Sequence, residues 1–282
     1  MDLTDLREYQ PGDDVRAIDW NVTARMDTPY IRQYAEDREV CAWFLLDMSP
    51  SVDFGTAAGE RLKRTVLVDL VATLARILTR RGNRVGAIVY TDRVQGATPA
   101  RGGRLQVLRL IDDLIGQPRL GRAPETDLAA LLDAGRQVIK RRSLVFVMSD
   151  FISLPGWERR LDFLNRRHEV VAMRLVDPRE VQLPDVGPLI MQDAETGEQL
   201  FIDASDPGFR ERYADIARQQ ESALLESLAG CGADVLELAT DDDLLDALMR
   251  FADLRRQRAR AKVPLRFPTA MRRAAPMTEA AR

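Results

Sequence analysis

From residue 40 onward, short apolar runs alternate with longer stretches whose apolar residues recur every three or four positions. Residues 40–46 (V-C-A-W-F-L-L), 84–90, 143–148, 169–176 and 233–238 are too short and too uniformly apolar for amphipathic helices, and they predict strands buried on both faces. Residues 60–81 carry Leu62, Val66, Leu70, Leu74 and Leu78 on one stripe and stop at Gly82, which predicts a helix. Residues 105–115, 127–141, 157–167, 209–229 and 241–256 read the same way, the last with Asp241 near its N-cap. Thr91-Asp92 predicts a turn into a short antiparallel strand over 94–98. Residues 189–191 and 199–202, flanking Ala194-Glu195-Thr196-Gly197, predict a β-hairpin. The first 38 residues are polar and rich in turn formers.

Strands alternating with helices imply βαβ units. The expected fold is α/β: a doubly wound, mostly parallel sheet over 39–256 with helices on both faces. Residues 1–38 form an N-terminal extension expected to pack on that domain, and 257–282 a basic, flexible tail. Hydrophobic residues make up 45% of the 282 and charged residues 30%, which excludes a disordered or collagenous chain. The two cysteines, Cys41 and Cys231, form no CxxC pair, and no run reaches the length of a membrane span. Acidic residues near Met1 interrupt any signal-peptide pattern, so a cytoplasmic protein is expected. The net charge of −3 hides an asymmetry: residues 255–282 carry nine basic residues against one acid, leaving a body of −11 under a tail of +8. An acidic body argues against a broad nucleic-acid surface; polyanion binding through the tail alone is a separate reading.

In open α/β sheets, ligands gather beyond the carboxyl ends of the strands. The first apolar strand runs into Asp47-Met48-Ser49-Pro50-Ser51, a D-x-S-x-S, and the strand over 143–148 runs into Ser149-Asp150. Thr126 precedes the helix that starts at Asp127. Asp47, Ser49, Ser51, Thr126 and Asp150 thus offer two carboxylates and three hydroxyls, hard oxygen donors suited to Mg²⁺, with Mn²⁺ or Ca²⁺ as alternatives. So few carboxylates leave a bound ion electrophilic, able to accept a carboxylate from another protein. That is binding chemistry. A D-x-S-x-S alone recurs by chance in about one chain of this length in sixteen, and capping a loop or helix would also explain Asp47 and Ser49. Its place at a strand end gives it weight.

The five residues resemble the metal-ion-dependent adhesion site of von Willebrand factor type A domains, which implies direct or water-mediated Mg²⁺ contacts. Pro50, and Pro124-Glu125 ahead of Thr126, depart from the usual pattern. The N-terminal segment from Arg7 through Tyr9, Pro11-Gly12-Asp13-Asp14, Arg16, Ile18 and Trp20, continuing to Ala24-Arg25, resembles the signature of the bacterial domain-of-unknown-function fifty-eight family, R-x-Y-x-P-G-D-D-x-R-x-I-x-W followed by A-R. That family carries a type A-like domain next, and its genes commonly neighbour those of MoxR-type AAA+ ATPases. Many members carry upstream membrane helices; with Met1 almost directly before the motif, a short soluble member or a mis-assigned start is expected. Physically, Pro11-Gly12 predicts a turn, Asp13 or Asp14 a short-helix cap, and Ile18 and Trp20 anchors. Arg7, Arg16 and Arg25 can pair with Asp13, Asp14 and Asp19. Arg7, Asp13, Asp14, Arg16, Trp20 and Arg25 are therefore either a structural clamp or a docking surface for the ATPase.

The resemblance implies a non-enzymatic, Mg²⁺-dependent protein-binding module: a chaperone-like adaptor to a MoxR-type ATPase in the assembly or activation of a client protein. The alternative is a phosphotransferase of the haloacid dehalogenase type using Asp47 as nucleophile with Ser149 nearby. Ser49 then stands where that chemistry needs a second carboxylic acid. The single histidine, His168, reads as a surface or edge residue. No phosphate-loop, dinucleotide or HExxH motif occurs.

Overall fold

The computed structural model describes residues 2–11, 13–35, 40–55 and 62–260. Two compact units divide the chain at Glu39 and Val40; the expected tail lies almost wholly outside the described residues.

In the first unit, β1 (Asp2–Glu8) runs antiparallel to β2 (Tyr30–Ala35), with a bulge between Leu3 and Asp5. Between them lie a 3₁₀ turn, Val15–Ala17, and helix α1 (Trp20–Met26). Each starts on an aspartate. Asp14 accepts from the Arg16 amide at 2.9 Å, and Asp19 accepts from the Asn21 and Val22 amides at 3.0 and 3.3 Å.

The second unit is built on a six-stranded sheet. Along the chain come β3 (Cys41–Asp47), α2 (Lys63–Arg80), β4 (Arg84–Tyr90), β5 (Val94–Arg101), α3 (Arg104–Ile115), α4 (Leu128–Val138), β6 (Leu144–Ser149) and α5 (Trp157–Arg167). Then follow β7 (Glu169–Val176), α6 (Pro178–Val181), the hairpin β8 (Pro188–Gln192) and β9 (Gln199–Asp203), α7 (Pro207–Gly230), β10 (Asp234–Ala239) and α8 (Leu244–Arg260). The sheet order is β10-β7-β6-β3-β4-β5, parallel except for β5. The hairpin strands pair only with each other.

Alternation along β3 fixes the layers. Ala42, Phe44 and Leu46 enter one core with α2, α3 and α8, where Leu67, Leu70, Leu110 and Phe251 are buried. Trp43 and Leu45 enter the opposite core with α4, α5 and α7, among Leu131, Trp157, Leu161 and Leu228. Helices cover both faces, as the apolar strands require. Helix α4 lies so close to β3 that a Cβ on Gly135 would fall 2.8 Å from Leu45 Cδ1. Glycine here is a packing requirement.

Chain order reverses at β3: the strands that follow it first, β4 and β5, lie on one side, and β6, β7 and β10 on the other. The connections leaving β3 and β6 therefore diverge, and it is at such a point that open α/β sheets gather ligands in a crevice.

Some element ends differ from the sequence pattern for local reasons. Helix α4 stops at Val138 because Ile139 turns to extended dihedrals and enters the core. Helix α8 starts later than its periodicity suggests, because Asp243, not Asp241, accepts from the Leu245 and Asp246 amides, each at 2.9 Å. Helix α6 is too short to show a period, and the Asp177/Glu180 capping box forms it. The expectation for His168 was wrong. The residue closes α5, and its ring is buried with neither nitrogen hydrogen-bonded. Its imidazole is held below the usual basicity by burial, with the Arg167 charge adding to it.

Candidate metal centre

The crevice between β3 and β6 gathers most of the expected donors. Asp47, the last residue of β3, is fully buried. Its Oδ1 accepts from the Ser49 amide at 3.0 Å, and its Oδ2 accepts from the Ser149 hydroxyl at 2.6 Å, joining the ends of β3 and β6. The chain then makes a 3₁₀ turn, Pro50–Asp53. Pro50 occupies its first position, where a missing N–H costs nothing. The Ser49 side chain makes no cap bond. The turn instead brings the Ser51 hydroxyl to 3.1 Å from that of Ser49, both buried.

Asp150 follows β6 and is buried. Its Oδ1 accepts from the Ile152 amide at 3.0 Å, while Phe151 between them adopts φ 62°, in the left-handed region. A bulky side chain there is strained. The Phe151 amide donates to Ser149 Oγ at 2.9 Å, and the ring packs 5.3 Å from Trp157, centroid to centroid. The strain belongs to the turn that aims Asp150 into the crevice.

Thr126 arrives from the loop ahead of α4. Its carbonyl accepts from the Ser153 hydroxyl at 2.8 Å and from the Leu154 amide at 2.9 Å, tying it to the loop that carries Asp150. Tyr90, at the end of β4, accepts from the Asp127 amide at 2.9 Å. The ends of β3, β4 and β6 and the start of α4 thus meet at one rim.

Burial first, and the neighbouring Asp150 carboxylate second, push Asp47 up to about 6. Three participants were not legible as site residues. Lys63, the first residue of α2, is completely buried, with its ammonium 2.8 Å from Asp150 Oδ2 and 2.6 Å from Glu180 Oε1. Burial alone would lower its basicity, but the two carboxylates outweigh that and raise it. A positive charge in a helix's first turn opposes the macrodipole, which is the one local oddity that could have marked Lys63. Glu180 joins through the α6 capping box. Glu195, at the tip of the hairpin, receives the Thr126 amide at 2.8 Å on Oε2 and the Thr126 hydroxyl on Oε1. Burial, and more weakly the Asp150 charge, raise its carboxyl above the usual range.

The donor set fits a hard divalent cation on two counts. It is oxygen-only, two carboxylates and three hydroxyls from Asp47, Ser49, Ser51, Thr126 and Asp150, and the Lys63 ammonium already rests on Asp150, so that carboxylate is placed to meet a cation. Among the described residues, no three His, Cys, Asp or Glu gather as a metal-holding group. Hydroxyls would have to supply the remaining positions.

In the N-terminal unit, Arg7 grips Asp13 with two bonds of 2.9 and 2.7 Å, which hold the Asp13 carboxyl below its usual range. Asp14 caps the 3₁₀ turn as expected. Arg16 and Arg25 are exposed. Trp20 was expected as an anchor and is instead 68% exposed at the start of α1, because Asp19 turns the helix there; Ile18 is partly buried and bridges to Ile31.

The sequence matches the family described as "Protein of unknown function DUF58" over residues 5–223. The chain belongs to the DUF58 family. The match takes in the N-terminal signature and all five expected donors, and it ends within α7. The chain is also 40% identical over 255 residues to uncharacterized protein Mb1516 of Mycobacterium bovis and uncharacterized protein Rv1480 of Mycobacterium tuberculosis, spanning 90% of this chain and 80% of each relative. Among solved structures, conserved hypothetical protein BatB from Bacteroides thetaiotaomicron aligns with a TM-score of 0.49 at 12% identity, over 79% of this chain and 100% of that one. Among the described residues of this DUF58 member, no helix is long and apolar enough to cross a membrane.

Proposed function

We propose that this DUF58 member is a Mg²⁺-dependent protein-binding module with a von Willebrand factor type A-like sheet domain. In this reading it serves as adaptor to a MoxR-type AAA+ ATPase in assembling or activating a client protein. The observation that carries the reading is the 2.6 Å bond from Ser149 to Asp47, which closes the β3 and β6 ends on each other at the point where the strand order reverses. Asp47, Ser49, Ser51, Thr126 and Asp150 would hold the ion, some of them through water. When bound, the ion supplies an electrophilic position for an acidic side chain. The protein's own groups do the rest: the Pro50–Asp53 turn pairs two hydroxyls, Phe151 aims Asp150, and Ser153 ties down the Thr126 loop. The ATPase partner rests on the family resemblance of the segment from Arg7 to Arg25.

The residues favour binding over phosphoryl transfer. Phosphoryl transfer of that kind needs a carboxylic acid two residues after the nucleophile to protonate the leaving group, and Ser49 stands there instead. The test is Mn²⁺ binding together with capture of a MoxR-type ATPase by wild type and Asp47→Ala. The proposal expects Mn²⁺ binding to weaken by about 100-fold and capture to fall with it. Full capture by a folded, metal-free variant would remove the ion from the function.

A further inference from the structure

The hairpin carries a carboxylate into the site that the sequence pattern does not assign to it. Residues 193–198 form a tight tip. The Asp193 carboxylate accepts from the Glu195 and Thr196 amides at 3.0 and 2.7 Å and from the Thr196 hydroxyl at 2.9 Å, and Gly197 adopts φ 73°. These bonds hold the tip in shape without using the Glu195 side chain. The Glu195 carbonyl accepts from the Ala123 amide at 3.0 Å, which seats the tip on the loop ahead of α4. With the backbone fixed at both places, the Glu195 carboxylate reaches Thr126 with both oxygens, one on the amide and one on the hydroxyl.

The consequences follow from valence and charge. A threonine hydroxyl has one proton and two lone pairs. Glu195 takes the proton, which leaves the lone pairs free for a cation. A cation held by the Thr126 hydroxyl would therefore have Glu195 beside it. The hairpin is a separate two-stranded sheet, so its tip can leave Thr126 without breaking a bond of the central sheet.

We infer that Glu195 is the resident carboxylate of this site, occupying beside Thr126 the seat that a partner's acidic side chain would take, so that displacing the β8–β9 tip opens the site. This rests on the metal-dependent reading above and adds its regulation. The rest state is self-occupied. Partner binding then requires exchange of one carboxylate for another.

The test needs no partner. Mn²⁺ alone is titrated into the full chain of wild type, Glu195→Ala, Glu195→Gln and Asp47→Ala, and water-proton relaxation of the bound ion is followed as acetate is added. Wild type should bind Mn²⁺ with a low relaxivity that acetate hardly changes. Glu195→Ala should bind Mn²⁺ with a higher relaxivity, as water fills the vacated seat, and acetate should lower it with an affinity raised roughly tenfold, within the usual range of site couplings. Glu195→Gln keeps a hydrogen-bond acceptor for Thr126 but loses the charge. It should respond to acetate as Glu195→Ala does, which separates occupancy by charge from support of the loop. If wild type and both variants bind Mn²⁺ through Asp47 with equal relaxivity and equal acetate response, Glu195 is not in the seat, and the metal site survives without it. If no Asp47-dependent Mn²⁺ binding occurs in any form, the metal reading itself has failed and takes this inference with it.

Discussion

Asp47 ends β3 and Asp177 follows β7, with β6 between them in the sheet; both are completely buried, yet they do different work. Asp177, just past β7, caps α6 through the Arg179 amide at 2.9 Å and accepts from the Thr240 hydroxyl at 2.8 Å. Its neighbour in the capping box, Glu180, returns the favour to the Asp177 amide at 3.0 Å. Asp47 is held by Ser49 and Ser149 but faces Asp150, which disfavours its charge. Two buried strand-end acids thus differ in their setting: Asp177 is built into a helix cap, whereas Asp47 joins two strand ends where the Asp150 carboxylate disfavours its charge.

Lys63 is where the contrast should break most sharply. Its ammonium bridges Asp150 on the β6 side and Glu180 on the β7 side. Lys63→Met should destabilise the metal-free protein by about 3–5 kcal/mol, since two carboxylates lose their buried counter-charge. Part of that loss should return on adding Mg²⁺. Chemical denaturation with and without the ion measures both; a loss untouched by Mg²⁺ would mean that Lys63 and the proposed ion serve separate sites.

The two acids themselves sharpen the comparison next. Asp47→Ala should weaken Mn²⁺ binding by about 100-fold, as loss of a metal-orienting group does. Asp177→Ala should leave that affinity unchanged and cost about 1–2 kcal/mol of stability, the value of a helix cap. Isothermal titration and thermal unfolding on the pair would separate the roles. Equal effects on metal binding would erase the distinction.

The smallest effect lies at the opposite end of β7, at His168. Its folded pKa is depressed below the ordinary 6.5 by burial and Arg167, so the unfolded state binds the proton first. Stability should therefore be full above about pH 6.5 and decline as pH falls below the unfolded value, levelling once the folded group also protonates. His168→Leu should flatten that decline in unfolding curves taken between neutral and mildly acidic pH. An unchanged slope would assign the acid sensitivity to other groups.

Much of this was open to reading along the chain. Residues 40–46 had to be a two-sided buried strand, and the hairpin around Ala194 to Gly197 followed from its flanking apolar runs. Asp47 and Asp150 stood out because they leave such strands. Lys63 and Glu195 did not. One looks like an ordinary helix-start lysine, the other like any acid at a hairpin tip, and neither position carries a periodic signal. His168, between Arg167 and Glu169, looked exposed because its neighbours are charged. Burial there is set by how α5 ends against β7, not by the local composition.

Hydrophobic periodicity determined the layered α/β architecture, because short two-sided apolar runs can be satisfied only inside a sheet covered on both faces. Which side chains share a rim was decided by tertiary structure alone. Strand order, the close approach at Gly135 and the seating of a hairpin tip bring together residues from 47 to 195. Charge interactions among them depend on distance through space, which sequence separation does not encode.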